Sequence, residues 1–149
     1  MRAAALILAF AAAGCTHARQ EVSCAAANLP GVTRAWPGIA ALSDPPPATL
    51  EAGFVLCSRH EERLLAASTA LGAEGYSSYI GAAKAGKCLR VARTHEASAS
   101  ALDREIRTMC RIAETHRIAY RHWQSEVAGK SVRLAGERMW IDGRASRLD

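Results

Sequence analysis

Residues 88–127 read CLRVARTHEASASALDREIRTMCRIAETHRIAYRHWQSEV. Steps of four and three carry a line from Cys88 through Ala92, His95, Ala99, Leu102, Ile106, Met109, Ala113, His116, Tyr120 and Trp123 to Val127. That spacing is one face of an α-helix, and Gly129 stands where it would stop. Two arrangements satisfy it. One is a single helix of about forty residues, longer than most. The other is two helices broken at 98–100, where Ser100 and Asp103 have capping-box spacing.

The same alternation precedes this stretch. Leu50, Phe54, Cys57, Glu61, Leu64, Ser68 and Leu71 mark one helical face, with Thr49 as a cap and Gly72 and Gly75 as an end. All five prolines lie between Pro30 and Pro47. Pro30-Gly31 and Pro37-Gly38 read as turns, and Pro45-Pro46-Pro47 as a stiff extended stop. Leu29, Val32, Trp36, Ile39 and Leu42 are spread along this region. It therefore reads as an irregular flap laid on the helices and pinned through Cys24. In the tail, Val132-Arg133-Leu134 and Met139-Trp140-Ile141 flank Gly136. They can form a small hairpin or continue as a helical remnant.

Hydrophobic residues make up 50% of the chain, inflated by alanine, and aromatics only 5%. Such a chain favours helices over sheets. The expected fold class is all-α: a small disulfide-stapled bundle of about three helices. It carries the Pro-rich flap at one end and, on one reading of the tail, a short hairpin at the other. The expected domain is residues 24–149, divided into flap (24–48), helices (49–128) and tail (129–149).

Ahead of that domain, Arg2 precedes an unbroken apolar run, Ala3 to Ala13, closed by Gly14 and Cys15. A membrane-spanning helix needs about 20 apolar residues. This run is shorter and has the form of a signal-peptide core, so residues 1–14 read as a signal peptide. Ala12-Ala13-Gly14-Cys15 resembles the lipobox of bacterial lipoproteins, with small residues leading to a cysteine. It departs from that pattern at Ala12, where the family usually has leucine. Membership implies that the Cys15 thiol takes a diacylglycerol, that cleavage falls just before it, and that the new amine is acylated. Residues 15–23 would then be a lipidated tether to the bilayer. The residue after the cysteine is Thr16 rather than Asp, which implies the outer membrane if the host sorts lipoproteins as well-studied Gram-negative bacteria do. Ordinary signal cleavage after Ala13 or Ala18 is the competing reading.

The five cysteines are Cys15, Cys24, Cys57, Cys88 and Cys110. An odd count in an exported chain leaves one thiol to explain. Lipidation of Cys15 leaves four, enough for two disulfides in an oxidising compartment, each contributing about 2–4 kcal/mol. The pairing depends on the helices. Cys88 and Cys110 on one straight helix would be roughly 33 Å apart, beyond the 7 Å or so that a disulfide spans. A hairpin turning near Ala99 would bring them together. The preferred pairing is therefore Cys88–Cys110 with Cys24–Cys57. A continuous helix would instead join Cys57 to Cys88 across a turn near Gly72.

Motifs for chemistry are sparse. The histidines are His17, His60, His95, His116 and His122, without HxxH, HExxH or CxxC spacing. There is no GxSxG, and Glu61-Glu62 and Asp103-x-Glu105 lack an acid–base context. No catalytic residue, metal site or cofactor is expected. Arg104, Arg107 and Arg111 form one helical stripe, and Arg117 and Arg121 another. Asp103 and Glu114 can neutralise part of it, giving an ordinary solvated face. The functional reading is an anion-binding surface facing lipopolysaccharide, acidic lipid or an acidic protein. Among the tryptophans, Trp123 fits the core, Trp36 plugs the flap, and Trp140 is the one left for contacts outside the chain. The expectation is a non-enzymatic envelope protein that binds another envelope protein or an anionic envelope polymer, with no nucleic-acid partner. The alternatives are a periplasmic inhibitor of a lysozyme-type enzyme and an envelope enzyme with an unrecognised site.

Overall fold

Leu50, Ala52, Phe54 and Leu56 are buried, while Glu51 and Thr49 are exposed. This period of two is the signature of a β-strand with one face in a core. The structure, a computed structural model, describes residues 22–84 and 86–148. In chain order its elements are α1 (Cys24–Ala40), β1 (Thr49–Ser58), α2 (Glu61–Ala73), β2 (Ser77–Ala83), β3 (Gly86–Glu96), α3 (Ala99–His116), β4 (Ala119–Val127), β5 (Lys130–Ala135), β6 (Arg138–Ile141) and β7 (Arg144–Arg147).

The strands form one seven-stranded sheet in the order β2-β3-β1-β4-β5-β6-β7, with every neighbouring pair antiparallel. From β1 to β4 the elements run β-α-β-β-α-β, with β3 between β1 and β2 and β1 between β3 and β4. This is the split β-α-β arrangement, and β5–β7 extend it as a meander. The three helices lie over one face and pack mainly through α3, which touches both α1 and α2. Beneath them Phe54, Leu56, Leu89, Trp123 and Leu134 from the sheet meet Ile39, Leu64, Leu102, Ile106 and Met109 from the helices in one core.

The all-α expectation is thus overturned. Residues 88–127 are neither one helix nor two; they are β3, α3 and β4. The first stretch, 50–71, splits into β1 and α2. The physical reason lies in the spacing itself. A step of four returns to the same face of a strand as well as of a helix, so Leu50 with Phe54 and Cys88 with Ala92 satisfy both. No break between two helices falls at 98–100; β3 gives way to α3 there, and the cap is Ser98, whose hydroxyl accepts from the Ala101 amide at 3.1 Å, rather than Ser100. At the other end Arg117 adopts φ 54°, a left-handed cap that turns the chain into β4.

The flap is also corrected, since residues 24–40 form α1 with Pro30 and Pro37 inside it. Each interior proline removes a hydrogen bond and costs about 3 kcal/mol or more. Opposing that cost are the burial of Val32, Ala35 and Ile39, the Ser23 cap on the Ala26 amide, and a disulfide from Cys24 to Cys110 of α3. The second disulfide joins Cys57 to Cys88, which face each other in the β1–β3 register. The preferred pairing of Cys24 with Cys57 and Cys88 with Cys110 is therefore wrong. The alternative pairing is present, made across strands and not across a helix turn. In the tail the hairpin is the form adopted: Leu134 pairs with Met139 and Val132 with Ile141. The expected signal peptide, Cys15 and the expected tether up to residue 21 lie outside the described residues.

Candidate functional site on the open face of the sheet

The sheet face turned away from the helices carries the odd-numbered residues of β1 and β2 and the even-numbered residues of β3. Strand register assembles a row across it. Tyr79 stands beside Arg90, Arg90 beside Val55, and Val55 beside His122. Next to it, Gly53 pairs with Gln124, Gln124 with Arg133, and Arg133 with Trp140. Arg138 and Arg147 face each other on β6 and β7. The Arg133 guanidinium lies 4.4 Å from the centre of the Trp140 ring, a cation–π contact.

Small residues give this face its relief. A β-carbon at Gly53 would press on the Gln124 side chain at 3.1 Å, so the glycine leaves room for Gln124 to lie across β1. Gly53, Val55, Tyr79, Arg90, Ala92 and Gln124 line a shallow depression of about 300 Å³. Tyr79 at its rim is 64% exposed, a large value for an aromatic side chain.

The electrostatics are cationic. Among the described residues Arg90, Arg133, Arg138 and Arg147 form no ion pair. The His122 ring lies 3.3 Å from Gln124 Oε1 through Nε2. Burial holds its pKa below the ordinary 6.5; the Gln124 contact opposes this, and the charges of Arg133 and Arg90 push it lower still. At neutral pH the imidazole is therefore uncharged, between two arginines. Glu51 and Glu126 lie beyond the Gly53–Gln124 row and bound the basic zone at one end.

The arginines expected from the sequence fall elsewhere. Arg107 is held by Asp103 at 2.6 Å and Arg111 by Glu74. Arg104 is exposed on α3, Arg117 caps that helix, and Arg121 sits at the register shift of β4. Arg107 and Arg111 line one depression beside α3, which Arg104, Arg117 and Arg121 do not join. Glu114 accepts from the Cys24 amide at 3.0 Å. Trp123 is fully buried, Trp36 packs against the core, and Trp140 lies on the open face. His95 is buried, its Nδ1 bonded to the Glu96 carbonyl at 2.7 Å. Among the described residues no three His, Cys, Asp or Glu side chains gather as a metal site. Arg90, Arg133, Arg138 and Arg147 sit on four different strands and were missed. The usable signal was strand alternation, which sets Arg90 between buried Leu89 and Val91, Arg133 between buried Val132 and Leu134, and Arg138 beside buried Met139; β7, exposed throughout, gives none for Arg147.

Comparison with protein-family models, with curated proteins and with solved structures finds no match for this chain. The split β-α-β topology hosts many activities and assigns none, so the functional argument rests on the face itself.

Proposed function

We propose that the chain is an exported envelope lipoprotein, anchored through lipid on Cys15, whose domain binds an anionic envelope polymer on its open sheet face. The observation that carries the binding is the set of arginines on this one face, Arg90, Arg133, Arg138 and Arg147, which form no ion pair among the described residues and share the face with Tyr79 and Trp140. Guanidinium groups suit phosphate and carboxylate, which they bind through paired N–H donors, and a spread of them over one face suits a repeating polyanion. The aromatic rings add flat surface for the sugar or acyl part of such a ligand. The role is binding and not catalysis.

The address is supported by the signal-like run before Cys15 and by cysteine use. Cys24, Cys57, Cys88 and Cys110 are all in disulfides, which favours an oxidising compartment and leaves Cys15 as the odd thiol. The outer membrane facing the periplasm is the location that Thr16 supports.

Titration of the protein with phosphorylated lipopolysaccharide tests the binding. Affinity should fall with added salt, because exposed charges are screened. Arg90→Gln and Arg133→Gln should each weaken it by about tenfold, near 1.5 kcal/mol per charge-assisted hydrogen bond. Equal affinity for dephosphorylated material would overturn this reading.

A further inference from the structure

The two edges of the sheet differ in kind. At one end, β7 carries Arg144 and Arg147, charges that discourage strand pairing. At the other end β2, Ser-Ser-Tyr-Ile-Gly-Ala-Ala, has no charge and no proline, and its outer side is unpaired among the described residues. An uncharged edge of seven residues is a ready template for another strand.

The layer above repeats the pattern. Ser68 of α2 meets Ser78 of β2 at 2.8 Å, so the Ser68 side of the helix overhangs the edge. Leu65, three residues earlier, lies on that same side and is 56% exposed. From Leu64 to Ala73 the helix has no charged residue. The exposed large hydrophobic side chains of the described residues are Val22, Leu65 and Tyr79, and two of the three flank this edge.

We infer that a second copy of this chain pairs with β2 across a two-fold axis normal to the sheet. A strand running antiparallel to its own copy is self-complementary, as a two-fold interface requires. That axis carries α2 alongside the second α2, covering both copies of Leu65. A bound peptide would pair with β2 yet leave Leu65 exposed, which is why the occupant is a whole copy. A register centred on Ile80 pairs all seven residues. It also brings Lys84 of each chain towards the turn after α2 of the other, where the Glu74 carboxylate, held by Arg111 of its own chain, can accept a second cation. The open faces stay on one side, so the dimer doubles the cationic surface presented to a polymer, a gain in avidity and not in contacts. The dimer itself rests on the edge and not on the anion-binding reading.

Sedimentation equilibrium of the full chain in density-matched detergent tests this. The wild type should sediment as a dimer over a broad dilution series. The exposed pair Leu65→Lys with Ala82→Lys should sediment as a monomer with an unchanged near-ultraviolet spectrum and unchanged polymer binding per chain on the open face. A wild type that is monomeric throughout, or a paired variant that stays dimeric, overturns the inference. Should the variant misfold, hydrogen exchange of the wild type decides: β2 amides must gain protection as concentration rises, and constant protection refutes pairing. Loss of polymer binding with the dimer intact would strike only the anion-binding reading.

Discussion

Gly31 of α1 lies against the Gly136 carbonyl, so closely that a β-carbon at residue 31 would fall inside that oxygen. The contact seats α1 on the β5–β6 turn. Asn28 Oδ1 reinforces it by accepting from the Gly136 amide at 3.0 Å. Arg34 does so as well, pairing with Glu137 at 2.9 Å. Gly31→Ala must push the helix off the turn, and overpacking of this kind costs about 1–3 kcal/mol. Thermal unfolding should show a Tm several degrees lower, whereas Gly72→Ala, which meets nothing within 4 Å, should not lower it. Equal melting of the Gly31 variant and the wild type would mean that α1 does not sit here.

The two disulfides should differ in weight. Cys24–Cys110 spans 86 residues and Cys57–Cys88 spans 31. In the loop-entropy account the longer loop constrains the unfolded chain by about 1 kcal/mol more. Urea unfolding of Cys24→Ser/Cys110→Ser should show a larger loss than Cys57→Ser/Cys88→Ser. The reverse order would show that the cross-strand bridge holds the sheet edge by more than chain entropy.

His122 makes the open face sensitive to pH. Its pKa lies below 6.5 in the folded protein because of burial and the neighbouring arginines. The unfolded chain therefore binds a proton first as pH falls, and folding stability declines from 6.5 towards the folded value. A bound anion favours the charged ring, so affinity for phosphorylated lipopolysaccharide should rise over the same window. Calorimetric titration between neutral and mildly acid pH should show this in the wild type and not in His122→Gln. Identical pH profiles for the two would remove His122 from the site.

Tyr76 governs the alkaline side. Burial raises its pKa to about 12, with help from its hydrogen bond to Glu105, while Arg93 stacks on its ring at 4.4 Å. A raised pKa contributes stability below the ordinary value of 10.0 that is lost as pH climbs towards 12. Melting temperatures of the wild type should drop across that range more steeply than those of Tyr76→Phe. Parallel curves would place the phenol outside the α3 contact.

What could be read in the residues was uneven. Leu102, Ile106, Met109 and Ala113 do share the buried face of α3, and Leu64 and Leu71 that of α2. The β5–β6 hairpin around Gly136 was one of two readings of the tail. The strands were hidden because their apolar residues also fit helical steps, even though Leu50-Glu51-Ala52 and Leu89-Arg90-Val91 alternate. The α1 helix was hidden by Pro30 and Pro37, which local preference places in turns; only tertiary contacts hold them in a helix. The site was least legible of all. Arg90, Arg133 and Arg138 come to share one face through sheet register, which no local pattern displays.

Above all, the exported address and the stapled sheet stand on the mass of the chain extracted from its native membranes, alkylated without reduction and then mapped by peptides. That mass should show loss of residues 1–14, acyl chains on Cys15 and no alkylated thiol, and the map the links Cys24–Cys110 and Cys57–Cys88. A retained N-terminus with free thiols at these four positions would contradict both the exported address and the stapled sheet.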